Sequence, residues 1–232
     1  MLGRRMLMAA GGASGAVDIP VAAAHWWRAD KGVTLNGADV SDWEDQVGSW
    51  DWAQATASDQ PLFTASGINS QPSIDFDGVD HWMTLTTDAV SQPVDIWMVL
   101  SYDAWVDGDL VLSQGSAPSV EASGTTPQVG HKSDSPSTNK ISPTITTPFL
   151  LRSAFDGASS FQSLNNDSAV SGGNPGTAGW AAATLLAMGS LNSGPPTATE
   201  MRVSEIAFYD AIKTGGDVTS LKSYFNTRYA LW

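Results

Sequence analysis

The sequence predicts an all-β sandwich closed by a single C-terminal helix, and three observations carry that prediction. Short apolar runs are separated by clusters of Ser, Thr, Gly and Pro, with 22 Gly and 12 Pro in 232 residues, a pattern of many turns and few helices. Strict alternation runs through His81 to Thr86 and Val94 to Tyr102, and a period of two marks a strand whose two faces differ. At the end of the chain Val218, Leu221, Phe225, Tyr229 and Trp232 recur every three or four residues, the spacing of one helix face. With 42% hydrophobic residues, a chain of this length can bury one large core, so one sandwich domain is expected over 18–232.

The elements follow in order. Residues 1–17 begin Met1-Leu2-Gly3-Arg4-Arg5-Met6-Leu7-Met8, a basic start whose apolar stretch is too short and too Gly-rich for a leader peptide. An uncleaved arm is expected, held by another subunit through Arg4, Arg5, Met6, Leu7 and Met8, because a terminus is ordered only when something docks it. Residues 20–115 supply the first half of the sandwich. Residues 116–147 carry Pro118, Pro127, Pro136, Pro143 and Pro148 nearby, which predicts loops and edge strands in place of long central ones. Residues 148–232 supply the second half. There Phe149 to Phe155 reads as a strand, Asp156-Gly157 as a two-residue hairpin turn with φ > 0, and Ser159 to Leu164 as the return. A strand over Met201 to Tyr209 and a helix over 217–232 complete the chain, with Asp217 placed to accept from free backbone N–H groups.

A resemblance accompanies this reading. Gln71-Pro72-Ser73-Ile74-Asp75-Phe76-Asp77-Gly78-Val79-Asp80-His81-Trp82-Met83-Thr84-Leu85, with His25 to Asp30, Gly32 to Leu35, Val40 to Gln46 and the closing Leu221 to Trp232, resembles the laminin-G-like branch of the concanavalin A-like lectin/glucanase superfamily. The resemblance lies in the order of these motifs and covers about residues 20–232. It implies a concanavalin A-like jelly-roll β-sandwich with an N-terminal arm and a C-terminal amphipathic helix. Trp26 and Trp43 match the family's buried positions. Trp50 and Trp52 depart from it, which points to a contact specific to this protein.

Composition removes several functions. A net charge of −13 with only 11 basic residues excludes a general nucleic-acid surface, which depends on clustered Lys and Arg. With no cysteine, disulfides and thiolate metal sites are absent. No apolar run is long enough to span a membrane as a helix.

Hydrolysis in the resembled superfamily uses a Glu-x-Asp-x-Glu strand, which sets alternate carboxylates on one face as nucleophile and acid/base. That motif is missing. Asp75 and Asp77 share a face, but Asp77-Gly78 is better explained as a turn. No Gly-x-Ser-x-Gly elbow occurs among the serines. His25 and His81 read as structural strand residues, and His131 falls in the polar loop region; none has a partner at metal-ligand spacing. No catalytic residue, metal ligand or cofactor is assigned. Relatives often hold calcium on rim loops, and Asp75, Asp77 and Asp80 or Asp103, Asp107 and Asp109 would be its carboxylates, although neither set has EF-hand spacing.

The aromatic residues are more informative. Alternation puts Trp82 with Thr84 and Thr86, opposite Met83 and Leu85. It puts Trp97 with Asp95 and Ser101, opposite Ile96 and Met98. An indole plate beside polar groups suits the apolar C–H face and polar edge of a sugar, so Trp82, Trp97 and Asp75 are the carbohydrate-binding candidates. The alternative is burial of these rings under a loop or at a subunit contact, since 10 Trp exceed the needs of one groove.

The expected function is a non-enzymatic bacteriophage virion structural protein, either a capsid decoration or a tail appendage. It would dock other virion subunits through its arm, form a homo-oligomer and contact host glycans. The alternative is a bacterial surface or secreted carbohydrate-binding lectin. A glycoside hydrolase is disfavoured by the missing carboxylate strand.

Overall fold

The computed structural model describes residues 18–115, 118–122, 126–136, 138–182, 185–190 and 199–232. The arm, with Arg4, Arg5, Met6, Leu7 and Met8, lies outside the described residues. The first strands are β1 His25–Arg28, β2 Val33–Asn36, β3 Asp39–Trp43, β4 Trp52–Ala53, β5 Leu62–Ile68 and β6 Gln71–Asp77. Then come β7 Met83–Thr86, β8 Val94–Tyr102, β9 Leu110–Ser113, β10 Ser119–Ala122, β11 Val129–Lys132 and β12 Thr138–Ile141. The last are β13 Phe149–Phe155, β14 Phe161–Leu164, β15 Val170–Ser171, β16 Leu185–Met188 and β17 Glu200–Tyr209, followed by helix α1 Gly215–Tyr229.

All the pairings between these strands are antiparallel, and they form two layers. In the first, β17 runs beside β8 along one edge and meets β6 and then β1 along the other. β5 adds to β6, while β13, β14 and β15 follow β8 in turn. The second layer runs β2, β3, β4, β7, β16, β9, β10, β11, β12. Among the described residues a single strand pairing, Asp39 to Leu62, joins the layers, so the sheet is a nearly closed sandwich.

Alternation on facing strands fills the space between the layers. Ile96, Met98 and Leu100 of β8, Ile206 and Phe208 of β17, and Phe149 and Leu151 of β13 pack against Trp43, Trp52, Met83, Leu85 and Val120. Each such side chain stabilises the fold by about 1.5–3 kcal/mol on burial. Trp50 and Trp52 belong to this core; their indoles are internal, and no specific outward contact is needed to explain them.

Helix α1 seals the outer face of the first layer. Leu221, Tyr224, Phe225 and Tyr229 cover Trp97, Val99, Leu150, Ala207 and Tyr209. The helix starts two residues earlier than the periodicity implies, after an extended Thr214 whose side chain makes no cap. Asp217 lies inside the first turn, where a negative charge suits the helix dipole. Trp232 falls beyond the helix and is exposed, because Ala230 turns into a left-handed conformation at φ +49°.

Two further expectations are corrected. The β13–β14 hairpin exists, but Asp156 has φ −152°, only Gly157 is left-handed, and a short 3₁₀ turn delays the return to Phe161. Within 116–147, β10 and β11 are interior strands of the second layer, and only β12 lies at its edge. The prolines bound these strands and do not interrupt them, as the missing N–H requires. His131 accordingly lies in β11 and is fully buried.

Candidate functional site

The structure separates the residues expected to bind carbohydrate. Trp97, on β8 of the first layer, is 0% exposed, stacks on Phe225 at 6.2 Å and carries the Arg152 guanidinium 4.8 Å from its ring centre. A ring closed on its outer side by a helix cannot accept a sugar. Trp82 precedes β7 of the second layer and is half-buried. Its backbone N–H donates to Asp59 and its carbonyl accepts from Gln54. Asp75 accepts from the hydroxyls of Thr64 and Ser73 and lies 3.6 Å from Arg202. Alternation assigned the faces within β8 correctly, but Trp82 and Trp97 stand on different layers and do not make one surface.

Several charged clusters are structural. Asp77 accepts from the backbone N–H groups of Val79, Asp80 and His81, which makes it the organiser of the β6–β7 turn. Although burial raises its pKa, these three bonds outweigh it and the carboxyl stays below its ordinary value. Asp77, Asp80 and His81 bring one ligand atom each within 4.8 Å of one another, whereas calcium takes six to eight oxygens. In the interior, Glu205 accepts from Trp26 Nε1, Tyr224 OH and Tyr229 OH at 2.7–2.8 Å; burial nonetheless raises its pKa. Asp95 binds Arg152 Nη2 at 2.7 Å and the Lys213 backbone N–H at 2.9 Å.

A serine and a histidine do meet, at the seam between β11 and β13. His131 Nδ1 lies 3.0 Å from Ser153 Oγ and His131 Nε2 lies 3.0 Å from Asn139 Nδ2. All three residues are buried, and burial pushes the imidazole down to about 3. A neutral His with no access for a substrate ties strands together; it does not activate a nucleophile.

An open groove of about 460 Å³ runs along the outward side of α1. Its floor presents Thr219, Lys222, Ser223 and Asn226, which recur at helical spacing on the face opposite the buried stripe. Asn166 forms one wall, held by a turn in which Asn165 adopts φ +48° and exchanges hydrogen bonds with the Leu150 backbone. Trp232 forms the other wall and is 46% exposed.

Asn226 places that ring. Its Oδ1 accepts from the N–H groups of Leu231 and Trp232 at 2.8 and 3.0 Å, and its Nδ2 donates to the Trp232 carbonyl at 2.9 Å. The chain after α1 is thereby folded back over the helix. A second groove, of about 400 Å³, lies beside Trp26, but that indole is only 4% exposed and is covered by Arg28 and Lys31. Of these two grooves among the described residues, the first combines an accessible ring with hydroxyl, amide and ammonium groups. Reading Trp232 as part of the buried stripe concealed it in the sequence; the signal that could have revealed it is Asn226, an amide able to cap the residues that follow the helix.

No protein-family model matches the chain, and no curated protein matches it in sequence. Solved structures do resemble it. Trypanosoma rangeli sialidase in complex with the inhibitor DANA superposes with a TM-score of 0.58 at 13% identity, over 88% of this chain and 33% of that one. The binding domain of Paraclostridial Mosquitocidal Protein 1 gives 0.58 at 8% identity, over 84% of this chain and 52% of that one. The chain thus spans about a third of the sialidase's length, and at these identities the likeness is one of fold.

Proposed function

We propose that this chain is a non-enzymatic, glycan-contacting module of a bacteriophage virion, serving as a capsid decoration or tail appendage. The observation that carries the glycan part is the half-exposed Trp232 ring standing over a floor of hydroxyl and amide groups. A pyranose offers C–H groups to an indole face and hydroxyls to such a floor. The β-sandwich likeness to a sialidase agrees with carbohydrate handling, and the side chains favour binding over cleavage. Retaining hydrolysis needs two carboxyl groups about 5 Å apart across the scissile bond, whereas Glu205 and Asp95 are buried and engaged and Asp77 is committed to a turn.

The laminin-G-like resemblance and the arm-plus-sandwich layout support the virion part, and the arm is the element proposed to dock neighbouring subunits. A glycan array on the wild-type chain and on Trp232→Ala tests the first part: binding should appear and then vanish, and saccharide cleavage would overturn the non-enzymatic reading. Mass spectrometry of purified particles tests the second. Deleting residues 1–17 should leave a folded sandwich that no longer assembles. A chain that binds glycans but is missing from particles would instead be a surface or secreted lectin.

A further inference from the structure

We propose that the groove beside Trp232 selects saccharides that carry a carboxylate, with Lys222 as the residue that recognises the charge; this rests on the glycan-binding reading above. Lys222 lies three residues after Thr219 and four before Asn226, so its stem emerges between them on the groove floor. Its ammonium makes no hydrogen bond or ion pair among the described residues. Arg28, Arg152, Arg202 and Arg228 differ, each being matched to a carboxylate at 2.6–2.9 Å. Lys222 is thus a cation in a concave site with its donors unspent.

The surroundings favour an anion there. Burial and the nearby Arg152 guanidinium lower the Lys222 pKa, and Asp167 offsets this only in part. A carboxylate arriving in the groove would stabilise the ammonium against both effects. The chain's net charge of −13 opposes this at long range, but charges beyond about 8 Å are largely screened at physiological ionic strength. The cation inside the groove therefore decides. Neutral sugars would use the Trp232 face and the hydroxyl and amide groups alone. A uronic or sialic acid would use these and add a charge-assisted hydrogen bond.

Titration calorimetry on the full chain with two matched pairs of probes tests this: cellobiouronic acid against cellobiose, and sialyllactose against lactose. One acid should bind at least about tenfold more tightly than its neutral counterpart, the effect expected of one hydrogen bond to a charged group. Lys222→Gln should bring the acid down to the neutral level and leave the neutral sugar unchanged, and Trp232→Ala should abolish both. Thermal melts of the two variants should match wild type, since Lys222 is only partly buried and Trp232 is exposed. Equal affinity within both pairs, or an acid preference that survives Lys222→Gln, overturns the charge recognition and leaves glycan binding standing. If neither pair binds, or if Trp232→Ala binds as wild type does, the groove is no saccharide site and both readings fall.

Discussion

On its inner face β8 presents Val94, Ile96, Met98 and Leu100 to the second layer, and on its outer face Asp95, Trp97 and Val99 lie under or beside α1. Both faces are buried. The inner one is sealed almost wholly by apolar contact, which is non-directional and tolerates many residue combinations. The outer one is sealed by a helix whose aromatic residues also bind buried charge, with Tyr224 and Tyr229 on Glu205 and the segment before the helix on Asp95 through Lys213. The difference teaches that an aromatic and polar strand face need not be a binding face. It can be a second core whose charges are satisfied by one docked element.

The most severe way to break the outer core is Glu205→Ala. That change leaves Trp26 Nε1 and the Tyr224 and Tyr229 hydroxyls without their acceptor, and should cost about 3–5 kcal/mol, the range for removing one partner of a buried charged group. Denaturant melts measure it, and a loss under about 0.5 kcal/mol, typical of surface changes, would show that the network does not hold the helix. Next come Leu221→Ala and Phe225→Ala, both at fully buried positions, with expected losses of about 2–5 kcal/mol. Met98→Ala on the inner face should fall in the same range, so a much smaller loss on the helix side would mean that the two faces are not equal cores.

Acid sharpens the comparison at the seam between the layers, where His131 is a buried titratable group. The unfolded chain takes up a proton near the ordinary value of 6.5, while the folded chain resists protonation down to about 3. The stability this contributes is therefore complete above 6.5 and is lost as pH falls between those values. At about 1.4 kcal/mol per unit, roughly 2 kcal/mol should disappear between pH 6.5 and 5. Melts of His131→Gln should lack that component of the slope. The smallest effect on stability belongs to Trp232→Ala, within about 0.5 kcal/mol, together with loss of saccharide binding. Trp97→Ala should do the reverse, costing about 3–5 kcal/mol without a specific effect on the groove.

Much of the fold was legible because it rests on local periodicity. Alternation in Val94 to Tyr102 marked one central strand, Met201 to Tyr209 was legible as a second strand, and the spacing of Leu221, Phe225 and Tyr229 marked the face of α1 that docks. The prolines of 116–147 pointed to loops and edge strands, which concealed that β10 and β11 are interior, since burial there depends on partners far along the chain. The site was less legible. Trp97 and Trp232 are both tryptophans near polar residues, and nothing adjacent to either says that one is covered and the other free.

By itself, then, the sequence determined the class of fold, the positions of the main strands, the closing helix and the absence of any thiolate, all of which follow from composition and from neighbours within a few residues. Only the tertiary structure decided which layer each strand joined, which face α1 covered and where an aromatic ring stayed open. Alternation divides a strand into two faces without naming what packs on either one. The cover over Trp97 comes from Phe225 in a helix far along the chain, and the opening beside Trp232 comes from three hydrogen bonds to Asn226 that exist only once that helix has formed and ended.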